Sequence, residues 1–234
     1  DTSKPVFIVT DLYRGYSDLF KKVFGNKVTH QLCLLHLNKL IVYDFPRKTT
    51  IEQELIKYKL LNIFYNRELE IEFLSCLIEE ERSTRLKSRK EYKTWIKEAK
   101  NAFYEFVHSL ELKRRRENKR LEQREYHDAL YNFNNLFSKI DSFEIAVQKR
   151  LMRIKELWPN LTAFYFLDNA PATNNPVENY YSTSLKTHRK KQLEVPGIED
   201  QMKLSALKRA GIFGRPEKTL LDAFFMFIPF LDAG

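Results

Sequence analysis

Near the start, the run PVFIVT (residues 5–10) is apolar and β-branched with no polar alternation, a pattern that predicts a short strand buried on both faces. Asp11 stands at its C-terminal end. Beyond Gly15, Leu19, Phe20, Val23 and Phe24 fall on one helical stripe. They predict a short helix capped by Ser17 and ended by Gly25. A second strand is expected over about residues 27–35, followed by another helical pattern, which together give the rhythm of a βαβ unit. From about residue 49 the texture changes. Charged segments carry apolar residues three and four apart, as in Leu55, Tyr58, Leu61, Tyr65 and Leu69, and only helices bury such a pattern. Neither proline nor glycine occurs between Arg47 and Trp158, so these helices are free to run long.

After Trp158-Pro159 comes a short aromatic run, AFYFL, then the turn DNAPATNNP and a helix carrying NNPVENYYSTSLKTHRKKQ (residues 174–192). Further helices are expected over about residues 198–209 and at the apolar C-terminal end, with GIFGRP as the loop between them. The expected fold class is α/β with a large all-α insertion, predominantly helical overall, in three regions: 1–48, 49–158 and 159–234. The most polar stretch, residues 111–125, lacks an apolar stripe. It reads either as an exposed helix or connection laced with i, i+4 pairs, or as a contact to a DNA backbone.

Composition narrows the partners. In 234 residues, 43 % hydrophobic and 14 % aromatic side chains suffice for a packed core, which excludes disorder throughout. A net charge of +9 favours a polyanion, either nucleic acid or an anionic membrane surface. The run AFFMFIPFL (residues 223–231) is less than half the roughly 20 residues that cross a bilayer, so it reads as core and no membrane partner is expected. No secretory leader pattern opens the chain and there are only two cysteines, Cys33 and Cys76, which fits an intracellular setting.

Two carboxylates are candidates for chemistry. Asp11, at a strand end, serves either as a turn residue or as a ligand where open α/β sheets place their sites. Glu178 has two readings as well. With Asn175 as N-cap and Pro176 at the first helical position, Glu178 is the third helical residue and the reciprocal partner in a capping box. It also shares a helix face with Tyr181 and Leu185, which points it inward, where a carboxylate wants a cation. Magnesium is typically held by one or two carboxylates plus phosphate oxygens. Cys33 and His36, with His30 nearby, raise a zinc reading that has too few ligands, because structural zinc wants four. On a strand Cys33 and His36 would also face opposite ways. Lys186, His188, Arg189, Lys190 and Lys191 form either a solvated face or a set of phosphate contacts.

Taken together, VTDLYRGYSDLFKKVFG, then HQLCLLHLNKL, and much later TNNPVENYYSTSLKTHRK resemble the DDE transposases with a ribonuclease-H-like core, especially the mutator-type group and its prokaryotic insertion-sequence relatives. The matching residues are Thr10-Asp11 with Gly15-Tyr16, Cys33 with His36, and Thr173-Asn174-Asn175 with Glu178. The resemblance implies that Asp11 and Glu178 are the second and third members of an acidic triad binding two Mg2+ or Mn2+ ions. It makes residues 1–48 and 159–234 parts of a ribonuclease-H-like core, and residues 49–158 the family's helical insertion. Arg14 and His36 join the basic run as expected DNA contacts, while Cys33 and Asn175 are expected to be structural. The implied activity is metal-dependent cleavage and strand transfer of transposon-end DNA into target DNA, by a homodimer or larger assembly located with the nucleoid. The first Asp of the triad has no equivalent, since only residues 1–4 precede the first strand. This chain alone is therefore expected to be inactive, and the alternative is a DNA-binding remnant without catalysis.

Overall fold

The computed structural model describes residues 5–13, 15–83, 88–119 and 121–174. Strand β1 (Val6–Thr10) leads into helix α1 (Gly15–Phe24), a 3-10 turn, and strand β2 (Val28–Leu32). The two strands pair in parallel, from Val6 opposite Val28 to Thr10 opposite Leu32, so the expected βαβ unit is present. Gly25 ends α1 as expected, at φ +60°, a conformation that a residue with a Cβ adopts only under strain. Helices α2 (Leu34–Tyr43), α3 (Ile51–Leu61), α4 (Glu68–Ser83), α5 (Arg89–Arg116), α6 (Tyr126–Phe137) and α7 (Ile145–Leu161) follow. The described chain is thus predominantly helical with a small parallel sheet.

Several local expectations need correcting. Strand β2 stops at Leu32, not near residue 35, because the Cys33 amide closes the ladder on the Thr10 carbonyl at 2.7 Å and the Cys33 carbonyl then accepts the first helical bond, from Leu37. Helix α1 starts at Gly15, which leaves Ser17 inside its first turn and not at its cap. The apolar stripe of α1 is also rotated. Leu19 and Val23 are about half exposed (52 % and 53 %), while Tyr16 and Phe20 stack 5.8 Å apart and Phe20 meets the His30 ring edge-on. An aromatic partner on β2 outweighed the aliphatic stripe. All of β1 is half-buried, and the buried strand positions are His30, Gln31 and Leu32 of β2. Strand β1 is an edge of the sheet among the described residues.

The long run of apolar spacings from Leu55 to Leu69 is not one helix. It breaks after Leu61, where the buried Asn62 accepts bonds from the Arg67 amide (2.7 Å) and the Arg124 guanidinium (2.8 Å). Tyr65 then pairs with Gln123 in an isolated bridge, and Leu69 is exposed. The polar stretch 111–125 divides in turn. Its first part finishes α5, a turn with Asn118 at φ 51° follows, and the remainder reaches the Tyr65–Gln123 bridge and the foot of α6.

Helix ends are set by short local signals. Thr50 and Gln53 form a reciprocal capping box on α3, with bonds of 3.1 and 2.9 Å, and Ser88 and Glu91 do the same for α5 at 3.2 Å each. With no proline or glycine inside it, α5 runs 28 residues, about 42 Å at a 1.5 Å rise.

Two apolar clusters result. The larger joins Leu32 of β2 to Leu34, Leu37 and Ile41 of α2, the end of α3, α6, α7, and Phe164 and Ala172 beyond them. The smaller consists of Ile51 of α3, Leu74, Leu77 and Ile78 of α4, and Ala99 and Phe103 of α5. Helix α3 belongs to both and couples them. Polar bonds lock the larger cluster to the sheet. Gln31, fully buried, donates to the carbonyls of Leu32 (2.7 Å) and Leu161 (3.0 Å) and accepts from the Phe164 amide (3.0 Å). Its amide is left with no unmet need, as a buried polar group requires. Arg150 adds a bidentate pair with Asp44 that fastens α7 to the end of α2.

Candidate functional site

The site lies where β1 and β2 end. Because the strands are parallel, Thr10-Asp11 and Leu32-Cys33 finish at the same side. The backbone continues that alignment past the strands, with the Cys33 amide bonding the Thr10 carbonyl and the Leu34 amide bonding the Ala172 carbonyl at 3.1 Å. Chain positions 10, 33 and 172, remote in sequence, stand side by side. The segment Ala172-Thr173-Asn174 therefore begins at the end of the strands that Asp11 closes.

Asp11 is half-buried, and its Oδ1 accepts the Tyr13 amide at 3.2 Å. That bond is the turn role foreseen for a strand-end aspartate. It engages one oxygen, and a carboxylate has lone pairs for further partners. A carboxylate at this position suits a hard cation that takes oxygen ligands, so Asp11 fits magnesium or manganese as one donor. Among the described residues no group of three or more His, Cys, Asp or Glu is placed to hold a metal ion.

Beside Asp11 is a hydroxyl–imidazole–hydroxyl chain that the sequence pattern does not predict. The Thr10 hydroxyl donates to the Asp11 carbonyl at 2.9 Å, so its oxygen accepts from His30 Nε2–H at 2.8 Å. That assigns the tautomer. Nδ1 carries no proton and accepts from the Ser17 hydroxyl at 3.0 Å. The His30 carbonyl meanwhile accepts from the Asn160 amide at 2.9 Å. His30 thus ties β1, α1 and α7 together through one residue of β2. The signal that could have found it is a lone histidine at an inward strand position with hydroxyl residues on both neighbouring elements.

Burial lowers the His30 pKa from 6.5, so the folded state holds the ring neutral. The unfolded chain binds that proton more readily. Stability from this group is therefore complete above about pH 6.5 and declines as pH falls toward the lowered folded value. We expect the melting temperature to fall on acidification below pH 6.5, and His30→Gln to lessen that fall. Identical pH profiles for the two proteins would remove His30 as a source of the dependence.

Of the other expected site residues, Cys33 is fully buried at the N-terminal boundary of α2 and His36 lies in its first turn. The two are not on a strand as expected, because β2 ends before them, and they do not face opposite ways across a sheet. Cys76 is exposed on α4. Arg14, Asn175, Glu178, Lys186, His188, Arg189, Lys190 and Lys191 lie outside the described residues, as do the apolar C-terminal run and the helix expected over residues 198–209. No helix among the described residues is long and apolar enough to cross a membrane. No family model, no curated protein and no solved structure matches this chain.

Proposed function

We propose that this chain is part of the catalytic core of a DDE transposase, which cleaves transposon-end DNA and joins it to a target. The observation that carries this reading is the shared strand end. Asp11 closes β1, and the backbone of Cys33-Leu34 links Thr10 on one side to Ala172 on the other, the residue directly before the TNNPVE motif that begins at Thr173. A parallel βαβ unit with its carboxylate outside the strand ends is where an α/β sheet accommodates a ligand. The helical residues between the two motifs fit the insertion that the resemblance implies. The basic surplus of +9 fits a polyanionic substrate.

In this reading Asp11 and Glu178 are two of three carboxylates. Two magnesium or manganese ions, when bound, supply activation of the attacking oxygen and stabilisation of the leaving one. Asp11 is held toward the strand end by its Oδ1 bond to the Tyr13 amide, and the Thr10–His30–Ser17 chain fixes the residue before it. The basic run from Lys186 to Lys191 would supply positive charge for phosphate contacts to the bound DNA. Two such proteins hold two DNA ends. A remnant that binds DNA without cutting it keeps the charges and lacks the first carboxylate.

The deciding experiment is a strand-transfer assay with Mg2+ and Mn2+, comparing this chain with a form extended at its N-terminus to include an upstream acidic strand. Activity only in the extended form is expected. Failure of both, with DNA binding intact, leaves the remnant.

A further inference from the structure

We propose that the solvent face of α5 is a docking ridge for the phosphate backbone of duplex DNA. This rests on the nucleic-acid reading above and adds a contact surface within the helical region, apart from the strand-end site. At about 100° per residue, Lys90, Lys93, Lys97, Asn101, His108 and Arg115 fall within about 80° of arc on the helix. All six are exposed. Ala99 and Phe103, which are buried, lie on the opposite side. From Lys90 to Arg115 the ridge extends about 38 Å at 1.5 Å per residue, close to the roughly 34–36 Å of one turn of DNA.

Two other cations of α5 are engaged with the interior, while Arg89, Lys113 and Arg116 are exposed outside the arc. Lys100 bonds the Thr49 carbonyl, and Arg114 pairs with the fully buried Glu70 at 3.4 Å, so these two serve the interior. Among the described residues Lys90, Lys93, Lys97 and Arg115 enter no ion pair. Around the first three, a shallow depression of about 450 Å³ is lined by Lys90, Lys93, Thr94, Lys97, Glu98 and Asn101. Glu111 is the one carboxylate within the arc. Capping by Ser88 and Glu91 and packing of Trp95, Phe103 and Val107 hold the helix in place, so the charges are presented on a fixed rod.

A membrane surface is the poorer fit. Helices that lie on bilayers insert an apolar face of Trp, Phe or Leu, and the apolar face of α5 is used in the smaller core. Tyr104, the exposed aromatic within the arc, is tethered by its hydroxyl to Glu54 at 3.3 Å and does not project as a membrane anchor. A face dominated by charges suits a phosphate backbone, and the contact carries no base information.

The test is binding of the full chain to a 30-base-pair duplex across a salt series. Each neutralised phosphate contributes about 0.9 to the slope of log affinity against log salt. The variant K90Q/K93Q/K97Q/R115Q is expected to lower the slope by about 3–4, equally on a duplex of shuffled sequence, while K21Q/K22Q on α1 leaves it unchanged. An unchanged slope in the fourfold variant, with wild-type binding intact, overturns the ridge and leaves the proposed function standing. Equal loss in the α1 variant overturns it too, by showing a general charge effect. A wild-type chain that ignores the duplex, or that binds only phosphatidylserine vesicles, overturns both readings. Should the fourfold variant lose its helical circular dichroism, K90Q/K93Q carries the test, with an expected fall of about 2.

Discussion

Asp11→Asn in the N-terminally extended protein is expected to reduce metal-dependent strand cleavage by at least about a hundredfold, while folding and DNA binding remain. The lower bound follows from the 10–100-fold losses seen when residues merely supporting a metal ligand are changed, which a direct ligand should exceed. Asn keeps a carbonyl oxygen to accept the Tyr13 amide now bonded to Oδ1, so the turn survives. The charge is what goes. Glu178→Gln is expected to behave alike. Full cleavage by either variant would take that residue out of the site. A Glu178 variant that melts lower with cleavage preserved would instead make capping its main role.

Phe103→Ala is expected to cost about 3–5 kcal/mol of stability, the range for deleting a buried aromatic ring. Phe103 is 1 % exposed, meets Tyr58 edge-on at 5.1 Å and lies 5.9 Å from Phe73, so the vacated space is bordered by stiff rings from α3 and α4. Such walls collapse poorly, which puts the cost toward the upper part of the range. Trp95 packs on the same cluster and Trp158 on the larger one, so a single-tryptophan form keeping Trp95 reports the change by fluorescence in urea. A loss below about 1 kcal/mol would mean that α5 is held mainly by its polar bonds to Thr49, Glu54 and Glu70. A substantial loss would also predict weaker DNA binding through the ridge, because that surface depends on α5 being fixed.

The strand end with Asp11 was legible because its signals are local. The unalternated run to Thr10 fixed a strand, and Asp11 at its end needed no distant partner to be noticed. Cys33 and His36 stand out by residue type, but they lie at the start of α2 and not on the strand that the pattern predicts. A continuous apolar stretch does not say where a ladder stops, and here the stop depends on Thr10 and Ala172 bonding at Cys33 and Leu34. By its position near Cys33 and His36, His30 reads from sequence only as a further candidate metal ligand. Its role appears only when Thr10 and Ser17 are brought to its two nitrogens.

Residue pattern was enough to predict the strand–helix–strand order, the helical character of the region after Thr49 and the glycine end of α1. These elements depend on residues within a turn or a strand of one another, where periodicity and backbone preference act directly. Packing in three dimensions set which face of α1 turns inward, why α3 ends at Leu61, and how Gln31 and Asn160 attach α7 to the sheet. Those outcomes rest on partners such as Arg124 for Asn62 and Phe164 for Gln31, 62 and 133 residues away, whose buried polar atoms must be matched in space. The same is true of the ridge on α5. Its spacing was present in the sequence, but which lysines and arginines face outward was settled by where Phe103 packs and by which cations Thr49 and Glu70 draw inward.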